Sequence, residues 1–175
     1  MILPGIQYFE SFLEEAPALL ENLVAQAAWE TSMQARWTAS YGVPYNYSQM
    51  TYPERAFLPQ LEIVRQKVAL SVGFQPNNCL LNYYQDGKSK MGFHSDETKN
   101  LVTGCGIAIV SLGGTRTLRF RQIADPSVTT NLSLVSGSLV YMSQEVQHTW
   151  QHAIPKAPVA LPRISLTFRR FQREN

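Results

Sequence analysis

The chain has 175 residues, of which 45% are hydrophobic and 16% charged, with a formal net charge of +2 and two cysteines. This composition implies one core-forming domain and excludes extended disorder, a disulfide-stapled scaffold and a Cys-x-x-Cys metal ribbon. No basic residue precedes Arg36 and no apolar run approaches bilayer-spanning length, so a cytoplasmic location (nuclear or nucleoid for a DNA-associated protein) is expected rather than secretion or a membrane.

In chain order, Glu14–Trp29 carries Leu19, Leu20, Leu23, Val24 and Ala27 at helical spacing, with Pro17 suited to the first turn. Trp37–Pro53, rich in Tyr, Ser, Asn and Pro, reads as loops or short exposed strands. Pro59–Val72 is a second helix: Leu61, Val64, Val68 and Val72 form one stripe, and Gly73 supplies the stop. From Asn78 the period changes to two. Cys79–Tyr84, Gly106–Leu112, Thr115–Arg121, Asn131–Val135, Ser138–Met142 and Arg163–Phe171 are expected strands, divided by turn signals such as Asp86-Gly87 and Ser136-Gly137. Helices followed by a run of strands predict a single α+β domain over 1–175, its sheet closed or doubled and its helices on one outer face.

Charge is unevenly placed along this order. Residues 1–87 hold 4 basic and 8 acidic residues, and 88–175 hold 11 and 5. The basic half suits a polyanion or a small anionic ligand. Arg116, Arg119 and Arg121 on one expected strand form a candidate phosphate-facing row, to which Lys88, Lys90 and Arg170 could add.

Three histidines are present: His94, His148 and His152. On a strand, His94-Ser95-Asp96 projects an imidazole and a carboxylate from one face. A distant third histidine would complete a two-histidine, one-carboxylate facial triad for Fe(II). In an extended segment His148, Trp150 and His152 share a parity, so spacing leaves the third ligand open. In Arg163–Arg169 polar residues alternate with apolar ones, giving one face of Arg163, Ser165, Thr167 and Arg169 and another of Ile164, Leu166 and Phe168. If the polar face looks inward, its two guanidiniums need anionic partners, and a dicarboxylate would serve both. Asn82 and Tyr84 share a face and offer an amide and a phenol donor.

Taken together, these blocks resemble the AlkB-type iron(II)/2-oxoglutarate dioxygenases: Asn82-Tyr83-Tyr84 leading to His94-Ser95-Asp96, then Trp150–Pro155, then Pro162–Arg169. A weaker likeness lies in Tyr41–Ser48. The resemblance implies a double-stranded β-helix (jelly roll) with N-terminal helices bracing one sheet, a catalytic core at about 78–171 and a nucleotide-recognition lid at about 30–58. It implies that His94, Asp96 and His152 bind Fe(II) and that 2-oxoglutarate and O2 are consumed. Arg169 and Tyr84 would hold the far carboxylate of 2-oxoglutarate, with Asn82, Arg163 and Ser165 near its chelating end. The reaction implied is oxidative demethylation of a base flipped out of nucleic acid, DNA ahead of RNA, with release of formaldehyde and succinate and no obligate protein partner. Trp37, Tyr45 and Tyr47 would contact the base, and Glu97 and Thr98 would flank it. Ser165 replaces the family's usual Asn, and Thr98 stands where repair members often carry an acid. The alternative reading is a 2-oxoglutarate dioxygenase acting on a protein side chain or a small metabolite.

Overall fold

The structure, a computed structural model, describes residues 2–47 and 49–173. Ser48, the last residue of the weaker likeness, lies outside them. The elements in order are β1 (Ile6–Phe9), α1 (Ala16–Gln26), β2 (Trp37–Gly42), β3 (Tyr45–Tyr47), β4 (Met50–Tyr52), α2 (Pro59–Val72), β5 (Asn78–Tyr84) and β6 (Met91–His94). There follow β7 (Ile107–Gly113), β8 (Arg116–Gln122), β9 (Thr129–Leu134), β10 (Leu139–Met142), α3 (Gln144–Thr149), β11 (Trp150–Ile154) and β12 (Arg163–Arg169).

Two antiparallel sheets face one another, one ordered β1-β10-β7-β12-β5-β2 and the other β6-β11-β8-β9, while β3 and β4 form a separate hairpin. The helices cover the outer face of the larger sheet. Leu19 and Leu23 of α1 and Leu61, Val64 and Val68 of α2 pack on Leu81, Val110, Ile164, Leu166 and Phe168. A second apolar cluster lies between the sheets, built on Ile107, Ile109, Leu118, Phe120 and Ile154. Every residue of β5 and β12 is buried, because one face meets the helices and the other meets the opposing sheet. Helix α2 has the expected bounds and ends at Gly73 in the left-handed conformation (φ 81°, ψ 12°).

The region read as loops or exposed strands is partly neither. β2 pairs along its whole length with β5 and is buried from Thr38 to Tyr41. Its hydroxyl residues are buried because they face a polar interior. Thr38 bonds Tyr52, and Ser40 Oγ accepts from Asn78 Nδ2 at 3.1 Å. Gly42 closes the strand at φ 87°, where a Cβ would stand 2.1 Å from the Asn77 carbonyl oxygen. A side chain there would collide with the Asn77 backbone and the Phe57 ring.

The expected arginine row is also split. Arg116 shares parity with Leu118 and Phe120, so it points inward, 2% exposed, and donates to the carbonyls of Asp86, Ser89 and Pro155. Arg119 faces outward onto Asn131, and Arg121 donates to Gln151 and covers the Phe93 ring.

Candidate active site

The polar face of β12 looks inward. Arg163, Ser165, Thr167 and Arg169 line a cavity between the sheets together with Asn82 and Tyr84 of β5. Register fixes their order: Arg163 lies opposite Tyr84, Ser165 opposite both Asn82 and Ser111, and Arg169 opposite Asn78. The floor is therefore polar side chains on rigid central strands, which holds them in place.

The opposing sheet supplies the other wall. β6 and β11 pair with His94 opposite His152. Asp96 follows two residues beyond His94, its backbone N–H donating to Gln147 Oε1 at 2.8 Å. His94 Nε2 lies 3.5 Å from Asp96 Oδ1 and His152 Nε2 lies 3.8 Å from Oδ2. One donor atom from each residue falls within 4.8 Å of the other two. His94 Nδ1 faces the Gly92 carbonyl at 2.8 Å, which assigns that nitrogen the proton and leaves Nε2 as a lone-pair donor.

Electrostatics prepare these groups as ligands. Burial alone would raise the Asp96 carboxyl, but the Arg169 cation and then the two imidazoles outweigh it and hold the group well below the usual carboxylate range. Burial pushes His152 down to about 4, against the opposing pull of Asp96, so it is neutral at physiological pH. Burial would lower His94 as well, but its contact with Asp96 raises it instead. Asp96 Oδ2 is buried without a hydrogen-bond partner among the described residues. Two imidazole nitrogens and a carboxylate with an unmatched oxygen fit a divalent transition metal such as iron(II).

His148 does not join this group. It lies in the last turn of α3, so the parity argument for an extended segment does not apply, and its Nε2 lies 3.2 Å from Thr98 Oγ1.

The arginines occupy the two ends of the cavity in the reverse of the expected order. Arg169 Nη2 lies 3.4 Å from Asp96 Oδ1, at the metal end. Arg163 sits at the far end with its guanidinium 5.2 Å from the centre of the Tyr84 ring. Tyr84 is thus grouped with Arg163, not with Arg169. Arg163 is 1% exposed and donates to Ser111 Oγ at 3.0 Å, while its Nε and Nη1 have no partner among the described residues. Burial lowers its pKa to about 10. Arg169 Nη1 is likewise unmatched. Unsatisfied buried guanidinium donors at both ends of one cavity fit a dicarboxylate such as 2-oxoglutarate.

Tyr47 lines the cavity, and Tyr45 stacks on Phe171 at 5.0 Å with the Arg169 guanidinium 5.4 Å from its ring centre. Trp37 is elsewhere. It shares parity with Ala39 and Tyr41 and packs edge-on to Tyr83 at 5.9 Å on the helix side of the sheet. It therefore cannot touch a base bound in the cavity. Glu97 is exposed, and Thr98 is engaged with His148.

Sequence reasoning missed Arg36. It is 7% exposed, its Nε donates to Asn82 Oδ1 at 2.7 Å, and its guanidinium also meets Tyr47 Oη and the Lys90 carbonyl. Had 36–42 been read as a strand, Arg36, Thr38 and Ser40 would have shared one inward face. The Tyr/Ser-rich composition concealed that.

A family model described as the 2OG-Fe(II) oxygenase superfamily matches residues 6–169. Alpha-ketoglutarate-dependent dioxygenase alkB homolog 3 of Mus musculus is 33% identical over 177 residues, covering 90% of this chain and 62% of the mouse protein. DNA oxidative demethylase ALKBH2 of Bos taurus is 36% identical over 173 residues, covering 94% of this chain and 62% of the bovine protein. The chain thus spans about three fifths of the length of these relatives. The solved structure of OsALKBH1 superposes with a TM-score of 0.75 at 18% identity, covering 97% of this chain and all of that one, a likeness of fold. Among the described residues no helix is long and apolar enough to cross a membrane.

Proposed function

The chain belongs to the 2OG-Fe(II) oxygenase superfamily, of the AlkB type, and we propose that it oxidatively demethylates N-alkylated bases in nucleic acid, DNA ahead of RNA, releasing formaldehyde. One observation carries the reading: unmatched buried guanidinium donors of Arg163 and Arg169 face the same cavity as the His94–Asp96–His152 cluster. Iron(II), held by those three residues, would with 2-oxoglutarate and O2 supply the oxidation that hydroxylates the N-methyl carbon, 2-oxoglutarate leaving as succinate and CO2.

The chain's own residues bind, orient and shield. Arg163 and Tyr84 take the far carboxylate at the closed end. Arg169 faces the carboxylate nearer the metal and keeps Asp96 ionised. Asn82 and Ser165 line the floor between them, and Arg36 orients the Asn82 amide by holding its oxygen. The β3–β4 hairpin forms part of a lid over the cavity, with Tyr45 and Tyr47 as the aromatic surface against which a flipped base rests. His152, held neutral by burial, needs no base to become a ligand at neutral pH, whereas His94, raised by its contact with Asp96, gives up its extra proton as the metal binds.

The test is formaldehyde and succinate release from an N-methylated oligonucleotide in the presence of iron(II) and 2-oxoglutarate. Equal yields of the two, lost in His94→Ala, support the reading. Thr98, neutral and engaged with His148, favours a second reading in which the substrate is a protein side chain or a small metabolite. Succinate formation that no oligonucleotide stimulates would select it.

A further inference from the structure

Beyond β12 the chain runs along an open cleft that the chemistry above does not use. Arg170, Gln172 and Arg173 form one side, and Arg65, Gln75 and Asn77 the other. We propose that this cleft binds the phosphate backbone of the nucleic-acid strand flanking the target base, a deepening that rests on the nucleic-acid reading above.

Four observations lead there. The first is charge. Arg170 and Arg173 are exposed, and no carboxylate lines the cleft among the described residues. Arg65, the third cation, is ion-paired with Glu62 at 2.8 Å and donates to the Pro76 carbonyl, so among the described residues the charge without a paired carboxylate is that of the other two.

The second is rigidity. Asn77 clamps the Phe171 backbone from one side, its Nδ2 donating to the Phe171 carbonyl and its Oδ1 accepting from the Phe171 N–H, both at 2.8 Å. From the other side Val102 N–H donates to the Arg170 carbonyl at 2.9 Å and Gln172 N–H to the Asn100 carbonyl at 2.8 Å. Arg170 thus springs from a backbone fixed on both flanks, and Arg173 follows one residue beyond the clamped segment, which reduces the ordering cost of gripping an anion.

The third is continuity with the mouth of the active site. Phe171 lines the cleft and also stacks on Tyr45, which stacks in turn on Tyr47 at 6.0 Å. The cleft and the mouth therefore share a wall, and a strand whose base enters the cavity would carry its neighbouring phosphates across Phe171 towards Arg170 and Arg173. Aromatic rings beside a basic groove are the pattern of single-strand recognition.

The fourth is what remains of the basic half of the sequence. Arg116 is buried on three carbonyls, and Arg119 and Arg121 are taken by Asn131 and Gln151. The strand row expected to meet phosphates thus loses Arg116 to the fold, while Arg119 and Arg121 keep their charge beside neutral amides, and the segment after β12 adds two exposed cations nearer the mouth aromatics.

The test compares wild type with Arg170→Glu/Arg173→Glu on two probes, a methylated single-stranded oligonucleotide and the corresponding free methylated nucleoside. Both positions are exposed and outside the catalytic cavity, so the nucleoside rate and the melting temperature should stay unchanged. The oligonucleotide KM should rise about tenfold and the salt slope of oligonucleotide affinity should fall by about 1.4, two phosphates' worth for a single strand. An oligonucleotide KM and salt slope equal to wild type would overturn the proposal. Anisotropy of a labelled oligonucleotide reads the cleft without turnover. Salt-dependent binding that weakens in the double variant sustains the cleft even if no demethylation is seen, and that outcome counts against the activity alone.

Discussion

Replacing Arg163 with Met separates a ligand-binding arginine from a structural one. The guanidinium is 1% exposed, makes one hydrogen bond, to Ser111, and leaves Nε and Nη1 without partners. Two charge-assisted bonds to a carboxylate, at roughly 1.5–3 kcal/mol each, make the loss about 3–6 kcal/mol, or about 10²- to 10⁴-fold in 2-oxoglutarate affinity. The ligand-free protein should behave in the opposite way. Removing an incompletely satisfied buried cation should leave unfolding free energy within about 1 kcal/mol of wild type, or raise it. Titration calorimetry with 2-oxoglutarate in the presence of iron(II) without oxygen, paired with urea unfolding of the ligand-free protein, reads both quantities. Unchanged affinity together with a loss of about 3 kcal/mol in stability would refute the reasoning and make Arg163 a structural residue.

Other outcomes follow from the same geometry. Arg36→Met should raise the KM for 2-oxoglutarate and for the methylated substrate together, each about tenfold, because one guanidinium holds both Asn82 and Tyr47. Arg36→Lys, which cannot span three partners, should not restore them. Trp37→Leu should lower stability by about 2 kcal/mol and leave the substrate KM untouched, since the ring packs against Tyr83 on the helix side. The metal-free protein should lose stability on acidification. His152 falls from 6.5 unfolded to about 4 folded, so its neutral burial opposes folding increasingly as pH drops from about 6.5, and the effect levels off below about 4. Asp96, depressed in the fold, adds a loss in the same direction once pH falls below its unfolded value near 3.9, whereas His94, raised in the fold, acts oppositely. Urea midpoints at pH 7 and 5 should therefore fall more steeply in wild type than in His152→Gln.

Much of the architecture was legible where a single periodicity dominated. Helix α2 has its expected ends because a clean apolar stripe stops at a glycine that can take positive φ. The face of Arg163, Ser165, Thr167 and Arg169 could be read from alternation alone, since a strand has only two sides. What alternation cannot give is depth along the cavity. Which end each arginine takes depends on β12 running antiparallel to β5, which sets Arg163 beside Tyr84 and brings Arg169 to Asp96. Composition misled at β2, where Thr38 and Ser40 are buried because they face polar partners. Local spacing misled at His148, where one turn of helix replaces the extended chain assumed. Arg116 was grouped with Arg119 and Arg121 despite its opposite parity, and its burial follows from that parity.

The central claim is that the three metal ligands and the two guanidiniums form one site, in which a keto-diacid bridges cation and arginines. Anaerobic calorimetry of 2-oxoglutarate, with and without iron(II), tests it most directly. Binding should be at least tenfold tighter with the metal present, the enhancement should vanish in His94→Ala, and 2-oxobutyrate, which lacks the far carboxylate, should bind far more weakly. Affinity independent of the metal, or equal for the two acids, would contradict the account.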